Sequence, residues 1–289
     1  MKSVNFGLPQ GSCLAPILFN IFINDITSIN CDFKFLFADD AVFCVKDKDF
    51  KNCTNKLKQL ICDLSDWLIN NKLVANTSKT KIMLFKPANY NVNHPNIYFN
   101  DCLLEWVNDF KYLGVTIDNK LNFSHHIKSV NLNLNKILGM IYSLSIYVPK
   151  CILMTIYNSL VLSTINYNMI WGGAAPTNIK PLQITLNKIL RIILNVKFNE
   201  NYLPNIRTNE MFKCLKLLKF HDLYKLSLLK FLHFVFYEDN EMFDKIYLPL
   251  LSRHNYNTRN VRIHLPNFRL DVHRRFAHFQ SCILLNEIN

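Results

Sequence analysis

The stretch Lys34-Phe35-Leu36-Phe37-Ala38-Asp39-Asp40-Ala41-Val42-Phe43-Cys44-Val45 decides how the first part of this chain folds. Aromatic and branched residues of high strand propensity stand on both sides of two adjacent aspartates, Asp39 and Asp40. Because Asp tolerates turn conformations, this pattern predicts a β-hairpin whose tight turn carries the two carboxylates. The apolar flanks also predict that the hairpin lies inside a sheet.

The two adjacent carboxylates have a chemical consequence. Two like charges held about 4 Å apart repel each other by roughly 4 kcal/mol at an effective dielectric constant near 20. A bound divalent cation reverses the sign of that energy, and Mg²⁺ prefers oxygen ligands of this kind. The turn is therefore a candidate Mg²⁺ site, and a solvated Asp-Asp turn is the alternative for the dipeptide alone.

Composition and charge restrict the class of protein. The chain has 289 residues, of which 50% are hydrophobic and 13% aromatic, so it is globular rather than disordered. Residues 1–119 carry 12 Lys/Arg and 12 Asp/Glu, whereas residues 120–289 carry 21 and 9, which supplies the whole net charge of +12. This asymmetry indicates a polyanionic partner of the second half, and a basic protein without a nucleic-acid role is the alternative.

Cysteine usage and hydropathy address the setting of the protein. The nine cysteines are odd in number, scattered and without a C-x-x-C pair, which favours reduced thiols in an intracellular setting, nuclear or cytoplasmic. No apolar run is long enough to span a bilayer, which predicts no membrane partner. His273, His278 and Cys282 fit no familiar zinc module, so solvated or packing roles are favoured for them.

A turn cluster precedes the acidic stretch. Gly7-Leu8-Pro9-Gln10-Gly11-Ser12 opens a predicted helix with Ser12 as its N-cap, and an apolar stripe follows. The backbone N–H groups at Gln10 and Gly11 are placed to meet an anion or a base edge. The apolar stripe has helical spacing and consists of Leu14, Ile17, Leu18, Ile21 and Phe22.

Beyond the acidic stretch, an amphipathic helix spans Leu57 to Leu68 and ends at Asn70-Asn71. A loop then leads into a short strand, Ile82–Phe85, with Lys79 and Lys81 at the junction. A lysine there neutralises a triphosphate or donates a proton to a departing pyrophosphate, and an ordinary solvated lysine is the alternative.

A second hairpin is predicted from Leu103–Val107 and Phe110–Ile117, with its turn at Asn108-Asp109. Gly114 inside the strand pattern indicates a bulge or a close backbone approach. After Asp118 the pattern becomes helical, with predicted helices over Ser124–Ser145, Pro149–Trp171, Pro181–Val196 and Asn209–Tyr237. The C-terminal stretch Arg253–Arg275 interleaves arginines with aromatic residues, which suit phosphates and unpaired bases.

Four of these pieces, in this order, resemble the reverse transcriptase of non-LTR (LINE-like) retrotransposons. They are Gly7–Ser12 with Pro16, Phe37-Ala38-Asp39-Asp40, Asn76-Thr77-Ser78-Lys79-Thr80 and Phe110-Lys111-Tyr112-Leu113-Gly114. The resemblance covers about the first 120 residues, and the helical remainder, with His254–Arg259, is similar to the region that follows the polymerase in such elements.

The resemblance implies an α+β fold: a partial antiparallel polymerase palm sheet with packed helices, an all-α thumb and a helical C-terminal extension. The corresponding domains are residues 1–119, 120–200 and 201–289. It implies an RNA-directed DNA polymerase that uses Mg²⁺, an RNA template, a DNA primer and deoxynucleoside triphosphates. The implied chemistry is two-metal nucleotidyl transfer, in which one ion activates the primer 3′-hydroxyl and the other stabilises the pyrophosphate.

The resemblance also assigns roles to residues. Asp39 and Asp40 are similar to the metal-binding pair, and Lys79 to the lysine near the triphosphate. Pro9-Gln10-Gly11 resembles the element that positions template and incoming nucleotide, and Phe110-Lys111-Tyr112-Leu113-Gly114 resembles the grip on the primer end. The family takes a third metal-binding Asp from a strand before the Pro-Gln-Gly turn, and only six residues precede Gly7 here.

We therefore expect a fragment that lacks the fingers and that Asp strand and has little activity alone. A non-catalytic nucleic-acid-binding remnant, dependent on the basic helical half, is the alternative. A gene relic whose product never folds is the third interpretation.

Overall fold

The computed structural model of the chain describes residues 11–86, 90, 92–194, 207–237, 265 and 274–288. The chain divides into two compact units, Met1–Asn108 and Asp109–Asn289. Helices and small sheets together give the α+β class that the sequence predicts. Three of the four strand pairs in the described residues are antiparallel, and one is parallel.

The first unit alternates helices with short strands. Its elements are α1 (Ala15–Ile23), a 3₁₀ helix (Asn24–Ser28), β1 (Phe33–Phe37), β2 (Asp40–Cys44), α2 (Phe50–Asn70), β3 (Lys81–Met83), β4 (Tyr98–Phe99), β5 (Cys102–Leu103) and β6 (Glu105–Val107).

The predicted acidic hairpin is confirmed, because β1 and β2 pair antiparallel with Phe37 opposite Asp40. In the described residues, however, these strands form a two-stranded sheet, so the prediction that the hairpin lies inside a larger sheet is wrong for that part of the chain. One face of β1 presents three phenylalanines to solvent, at 50%, 56% and 62% exposure. These are Phe33, Phe35 and Phe37.

Helix α2 supports both halves of the first unit. It begins after Asp49, whose carboxylate accepts a hydrogen bond from the Asn52 backbone N–H at 3.1 Å, and it ends before Asn71 as predicted. Leu60 is buried in a cluster beneath the acidic hairpin, and Ile61 is buried in a second cluster beneath the other short strands. One helix thereby provides the apolar support for both.

Helix α1 differs from its prediction at its start. Leu14 holds the N-cap position and no side chain caps the helix, so the prediction of Ser12 as N-cap is wrong. The Ser12 hydroxyl instead accepts the Leu14 N–H at 3.3 Å, and Ser12 lies two residues before the N-cap position. The predicted apolar stripe is present, but α1 buries none of it, and Ile21 is 68% exposed.

The predicted second hairpin is wrong in its pairing. Strand β6 pairs parallel with β3, with Ile82 opposite Trp106, and does not continue across Asn108-Asp109. The hairpin forms instead between β7 (Asp109–Tyr112) and β8 (Val115–Asp118). Its turn is Leu113-Gly114, and both residues have positive φ, 45° and 86°, as a type I′ turn requires. Gly114 is therefore a turn residue rather than a bulge.

The second unit continues from this hairpin into helices. They are α3 (Ser124–Leu144), α4 (Lys150–Ile156), a π-helical turn (Tyr157–Val161), α5 (Leu162–Thr164), α6 (Asn168–Trp171), α7 (Pro176–Ile193), α8 (Thr208–Cys214), α9 (Phe220–Tyr237) and α10 (Ala277–Ile288).

Two long predicted helices are interrupted, and a third starts earlier than predicted. The stretch Pro149–Trp171 breaks before α6, where Tyr167 has a φ of 60°. The stretch Asn209–Tyr237 breaks between α8 and α9, where Lys216 has a φ of 53°. Helix α7 begins at Pro176 and accommodates Pro181 in its interior. Helix α3 is confirmed with its predicted start.

The core of the second unit lies between α3 and α7. Leu134 and Ile141 of α3 and Leu186 and Ile189 of α7 have at most 1% of their surface exposed. Trp171 is fully buried beside them, with its ring stacked on Phe220 at a centroid distance of 5.3 Å. This packing fixes the helices on which the second unit presents its charge.

In the parts of the chain that the structure describes, no helix combines the length and hydropathy that a membrane span needs. Several residues that the sequence analysis singled out lie outside the described parts of the chain. They are Pro9 and Gln10, residues 253–259, Arg262, Phe268, Arg269, His273 and the side chain of His278. Cys282 is within them and is fully buried, where burial raises the pKa of its thiol to about 11.

Candidate active site

The acidic turn consists of Ala38 and Asp39, with Asp40 as the first residue of β2. Ala38 has a φ of 50°, in the left-handed region that disfavours a residue with a Cβ atom. A two-residue hairpin turn with positive φ at its first position follows the native twist of the two strands. Both carboxylates are exposed, so solvent and ligands reach them.

The base of the hairpin is fixed by buried contacts. Leu36 and Phe43 pack against a cluster that contains Ile26 and Leu60. The ammonium group of Lys34 donates hydrogen bonds to two backbone carbonyls before the hairpin, those of Thr27 and Ile29, the latter at 2.6 Å. The acidic end is thus held at one end of a well-anchored strand pair.

A second set of hydrogen bonds closes the opposite end of the hairpin. The Asp32 backbone N–H donates to the Cys44 carbonyl at 3.1 Å. The Asp32 carboxylate accepts the Lys46 backbone N–H at 2.7 Å. Asp32 is therefore occupied by local structure, which leaves Asp39 and Asp40 as the carboxylates that the hairpin presents at its turn.

The donor chemistry of the turn fits a hard divalent cation. Two exposed carboxylates next to each other in sequence provide only oxygen ligands, the kind that Mg²⁺ takes. Within residues 11–86, 92–194, 207–237 and 274–288, no group of three or more His, Cys, Asp or Glu side chains is arranged to hold a metal ion. Among the described residues, the acidic turn thus offers two carboxylates, Asp39 and Asp40, whose oxygen atoms are suitable Mg²⁺ ligands.

Lys79 stands on a tightly hydrogen-bonded turn. Asn76 organises this turn: its carbonyl accepts the N–H groups of Lys79 and Thr80, both at 3.1 Å, and its side-chain oxygen accepts the Ser78 hydroxyl at 2.6 Å. The Lys79 side chain is exposed. Lys81, by contrast, forms an ion pair with Glu105 at 2.7 Å, so Lys79 is the better candidate for an incoming phosphate.

Gly11 is the described residue of the predicted Pro9-Gln10-Gly11 element. It has a φ of 84°, a conformation that residues with a Cβ atom rarely adopt. Apart from its chain neighbours, none of the described residues lies within 4 Å of the position that a Cβ would occupy.

The candidate primer grip, residues 110–114, belongs to the second compact unit. Phe110 and Leu113 are 39% and 42% exposed, and Lys111 is exposed between them. On the other side of the hairpin, Val115 is buried in the helical core. The turn thus presents apolar and basic groups to solvent from a fixed base.

Sequence reasoning missed the residues that fix this hairpin to α3. The buried Asp118 carboxylate accepts three backbone N–H groups, those of Lys120, Asn122 and Phe123, the last at 2.6 Å. Nδ1 of His126 accepts the Thr116 N–H at 3.3 Å. The sequence held a signal for this arrangement. Asp118 lies at the end of a predicted strand, and Asn122 lies two residues before the predicted start of the helix at Ser124.

The first part of the second unit carries an unbalanced positive charge. The sequence has no Asp or Glu between Asp118 and Glu200. The described part of this stretch has seven Lys/Arg, of which the six lysines are exposed. These lysines are Lys120, Lys128, Lys136, Lys150, Lys180 and Lys188. Such a surface attracts polyanions.

Comparison with known proteins agrees with the resemblance seen in the motifs. Residues 2–117 match the family model described as reverse transcriptase (RNA-dependent DNA polymerase). The chain is 27% identical over 208 residues to the RNA-directed DNA polymerase from mobile element jockey of Drosophila melanogaster, across 67% of this chain and 22% of that protein.

Two further relatives point the same way. The probable RNA-directed DNA polymerase from transposon X-element of Drosophila melanogaster is 26% identical over 200 residues, and the jockey polymerase of Drosophila funebris is 27% identical over 209. The chain covers 22% of the length of each. No solved structure matches the chain significantly.

Proposed function

Because residues 2–117 carry a sequence of the reverse transcriptase family, we propose that this chain is part of an RNA-directed DNA polymerase of the non-LTR retrotransposon kind. The observation that carries the proposal is the acidic turn: two exposed carboxylates at the end of an anchored hairpin, inside the matched region. In this proposal residues 1–119 are part of the palm, 120–200 a thumb-like region and 201–289 a basic helical extension.

The proposed substrates are deoxynucleoside triphosphates, with an RNA template and a DNA primer as partners. When bound, Mg²⁺ activates the primer 3′-hydroxyl and neutralises charge on the departing pyrophosphate. Asp39 and Asp40 are the residues of this chain that hold the cation. The two-carboxylate set of the described residues predicts weak binding of metal and slow synthesis by this chain alone.

The neighbouring residues have positioning roles in this proposal. The Ala38 side chain is small, which leaves space for the primer terminus beside the carboxylates. Lys79 places an exposed ammonium group on a rigid turn, where it neutralises the triphosphate. Gln10 and Gly11 position template and nucleotide, and the Phe110–Gly114 turn holds the primer end.

Single-nucleotide incorporation tests the polymerase proposal. The full chain is incubated in excess with a labelled DNA primer on an RNA template, Mg²⁺ and one deoxynucleoside triphosphate. We expect slow extension that the double variant Asp39→Asn/Asp40→Asn loses and that Asp101→Asn retains. Asp101 is a matched control, because it is an exposed carboxylate in the turn of another two-residue hairpin, β4–β5. Equal extension by the double variant and the unsubstituted chain contradicts the proposal.

A second candidate function has its own observation. Six exposed lysines, in a stretch with no Asp or Glu between Asp118 and Glu200, favour nucleic-acid binding by the second unit, independent of catalysis. In this case the full chain binds nucleic acid without metal, and its affinity falls steeply with salt because phosphate contacts release counterions. Affinity that is insensitive to salt contradicts this function.

A further inference from the structure

The turn between α3 and α4 exposes large side chains at an unusual density. We name residues 142–150 the α3–α4 tip. Tyr142, Ile146 and Tyr147 have 63%, 75% and 81% of their surface exposed. Single exposed hydrophobic residues are common on protein surfaces, but three large exposed side chains within six residues form a patch, and such a patch is typical of an interaction site.

The α3–α4 tip is rigidly built. The Tyr147 and Val148 N–H groups donate to the Leu144 carbonyl at 2.9 and 3.0 Å, and the Ser145 hydroxyl donates to the Tyr142 carbonyl at 2.7 Å. Leu144 and Val148 themselves pack against the helical core. The two tyrosine rings are therefore presented on a fixed backbone, so that ordering them on a ligand costs little entropy.

Charge selects the occupant of this surface. Lys136 precedes the tip on α3 and Lys150 opens α4, and both are exposed. The first acidic residue on the C-terminal side of the tip is Glu200. A second copy of the chain would place like charges against each other, which opposes pairing through this surface. An anionic partner with flat, stackable groups matches both the lysines and the rings.

We propose that the α3–α4 tip binds unpaired nucleotides, with bases stacked on Tyr142 and Tyr147 and flanking phosphates on Lys136 and Lys150. This inference rests on the proposed function, since it assigns a single-stranded segment of the nucleic-acid partner to a defined surface. Stacking is tolerant of sequence because every base has a π-face, so the site holds a strand without reading it.

Fluorescence anisotropy with a labelled oligothymidylate tests the proposal, using the full chain in the presence of EDTA so that the acidic turn does not contribute through metal. The variants are Tyr142→Ala/Tyr147→Ala, the conservative pair Tyr142→Phe/Tyr147→Phe, and Lys150→Gln. Tyr237→Ala is the matched control, since Tyr237 is 76% exposed in the same unit, at the end of α9.

We expect the double alanine variant to bind roughly tenfold more weakly per ring lost, with an unchanged dependence on salt. The double phenylalanine variant and Tyr237→Ala should bind as the unsubstituted chain does. Lys150→Gln should lower the slope of log affinity against log salt by about 0.7, the value for one phosphate contact on a single strand.

Three results overturn the proposal. One is equal oligothymidylate affinity of the double alanine variant and the unsubstituted chain. Another is a double alanine variant that keeps its oligothymidylate affinity but no longer binds phosphatidylserine vesicles, which assigns the tip to a lipid surface. The same variant with retained oligothymidylate affinity but without self-association in sedimentation assigns the tip to a second copy of the chain. The third is absence of any oligothymidylate binding by the unsubstituted chain, which also removes the nucleic-acid function of the second unit.

Discussion

Nδ1 of His126 accepts a hydrogen bond from the Thr116 backbone N–H at 3.3 Å, which joins strand β8 to helix α3. Only an imidazole that is unprotonated at Nδ1 accepts this bond. The ring is buried and lies edge-on to Trp171 at a centroid distance of 5.4 Å. Burial lowers the pKa of His126, and the nearby Lys111 ammonium lowers it further.

This contact predicts a pH dependence of stability. Since the pKa of His126 is lower in the folded chain than in the unfolded chain, the unfolded chain takes up the proton first as the pH falls. The contribution of His126 to the free energy of unfolding is therefore complete above about pH 6.5 and declines below it. Urea unfolding at a series of pH values measures this decline.

The neighbouring His125 provides a control for that measurement. Its side chain is 62% exposed and lies 3.7 Å from the Asp109 carboxylate. We expect His126→Gln to flatten the pH dependence between about pH 5 and 7, and His125→Gln to leave most of it in place. A pH profile that is identical in both variants contradicts the assignment to His126.

The backbone conformation of Ala38 predicts that glycine substitutions at two positions of the hairpin change the free energy of unfolding in opposite directions. The φ of 50° at Ala38 strains a residue with a Cβ atom by about 1–2 kcal/mol, and glycine avoids this strain. Ala38→Gly should therefore raise the free energy of unfolding by about 0.5–1 kcal/mol, because the strain that is relieved exceeds the greater loss of backbone entropy of glycine on folding. Ala41→Gly, three residues further in β2, should lower it by about 0.5–1 kcal/mol, because glycine weakens a strand. Thermal unfolding of both variants checks the signs, and stabilisation by both substitutions would contradict this view of the turn.

Two glycines of the second unit form another matched pair. A Cβ on Gly172 would lie 2.4 Å from the Asn168 carbonyl oxygen and 2.6 Å from the Tyr224 ring. A Cβ on Gly139 in α3 would meet none of the described residues within 4 Å apart from the backbone of its own helix. Gly172→Ala should therefore destabilise the second unit by about 1–3 kcal/mol. Gly139→Ala should stabilise it by about 0.5–1 kcal/mol, since alanine is the better helix former. Denaturant midpoints compare the two, and equal midpoints would disprove the close contact at Gly172.

Local patterns predicted the acidic hairpin and α2, because the signals for each lie within a few residues of the structure they specify. The aspartates sit between strand-forming runs, and Asn70-Asn71 follows directly on the apolar stripe of α2. The position of Asp39 and Asp40 at the hairpin turn was predictable for the same reason, and their role in a metal site stays a prediction. The division into domains at residues 119 and 200 stays a prediction.

Pairing between distant strands was not predictable in this way. Asn108-Asp109 has the composition of a turn, yet β6 pairs with β3, some 24 residues earlier. The alternation of apolar and polar residues in the two strands does not indicate which strand each one pairs with. The helix break before α6 likewise has no glycine or proline at Tyr167, so no local preference predicts the positive φ of that residue. Exposure of the α3–α4 tip also depends on tertiary packing.

The central claim is that Asp39 and Asp40 together hold a divalent cation, and paramagnetic relaxation by Mn²⁺ tests it most directly. In a ¹⁵N-labelled full chain, Mn²⁺ should broaden the amide signals of residues 38–41 first. Asp39→Asn/Asp40→Asn should abolish this broadening, and Asp101→Asn should leave it unchanged. Broadening centred elsewhere, or equal broadening of the turn in the double variant, would contradict the assignment of the acidic turn as the metal-binding turn of a polymerase.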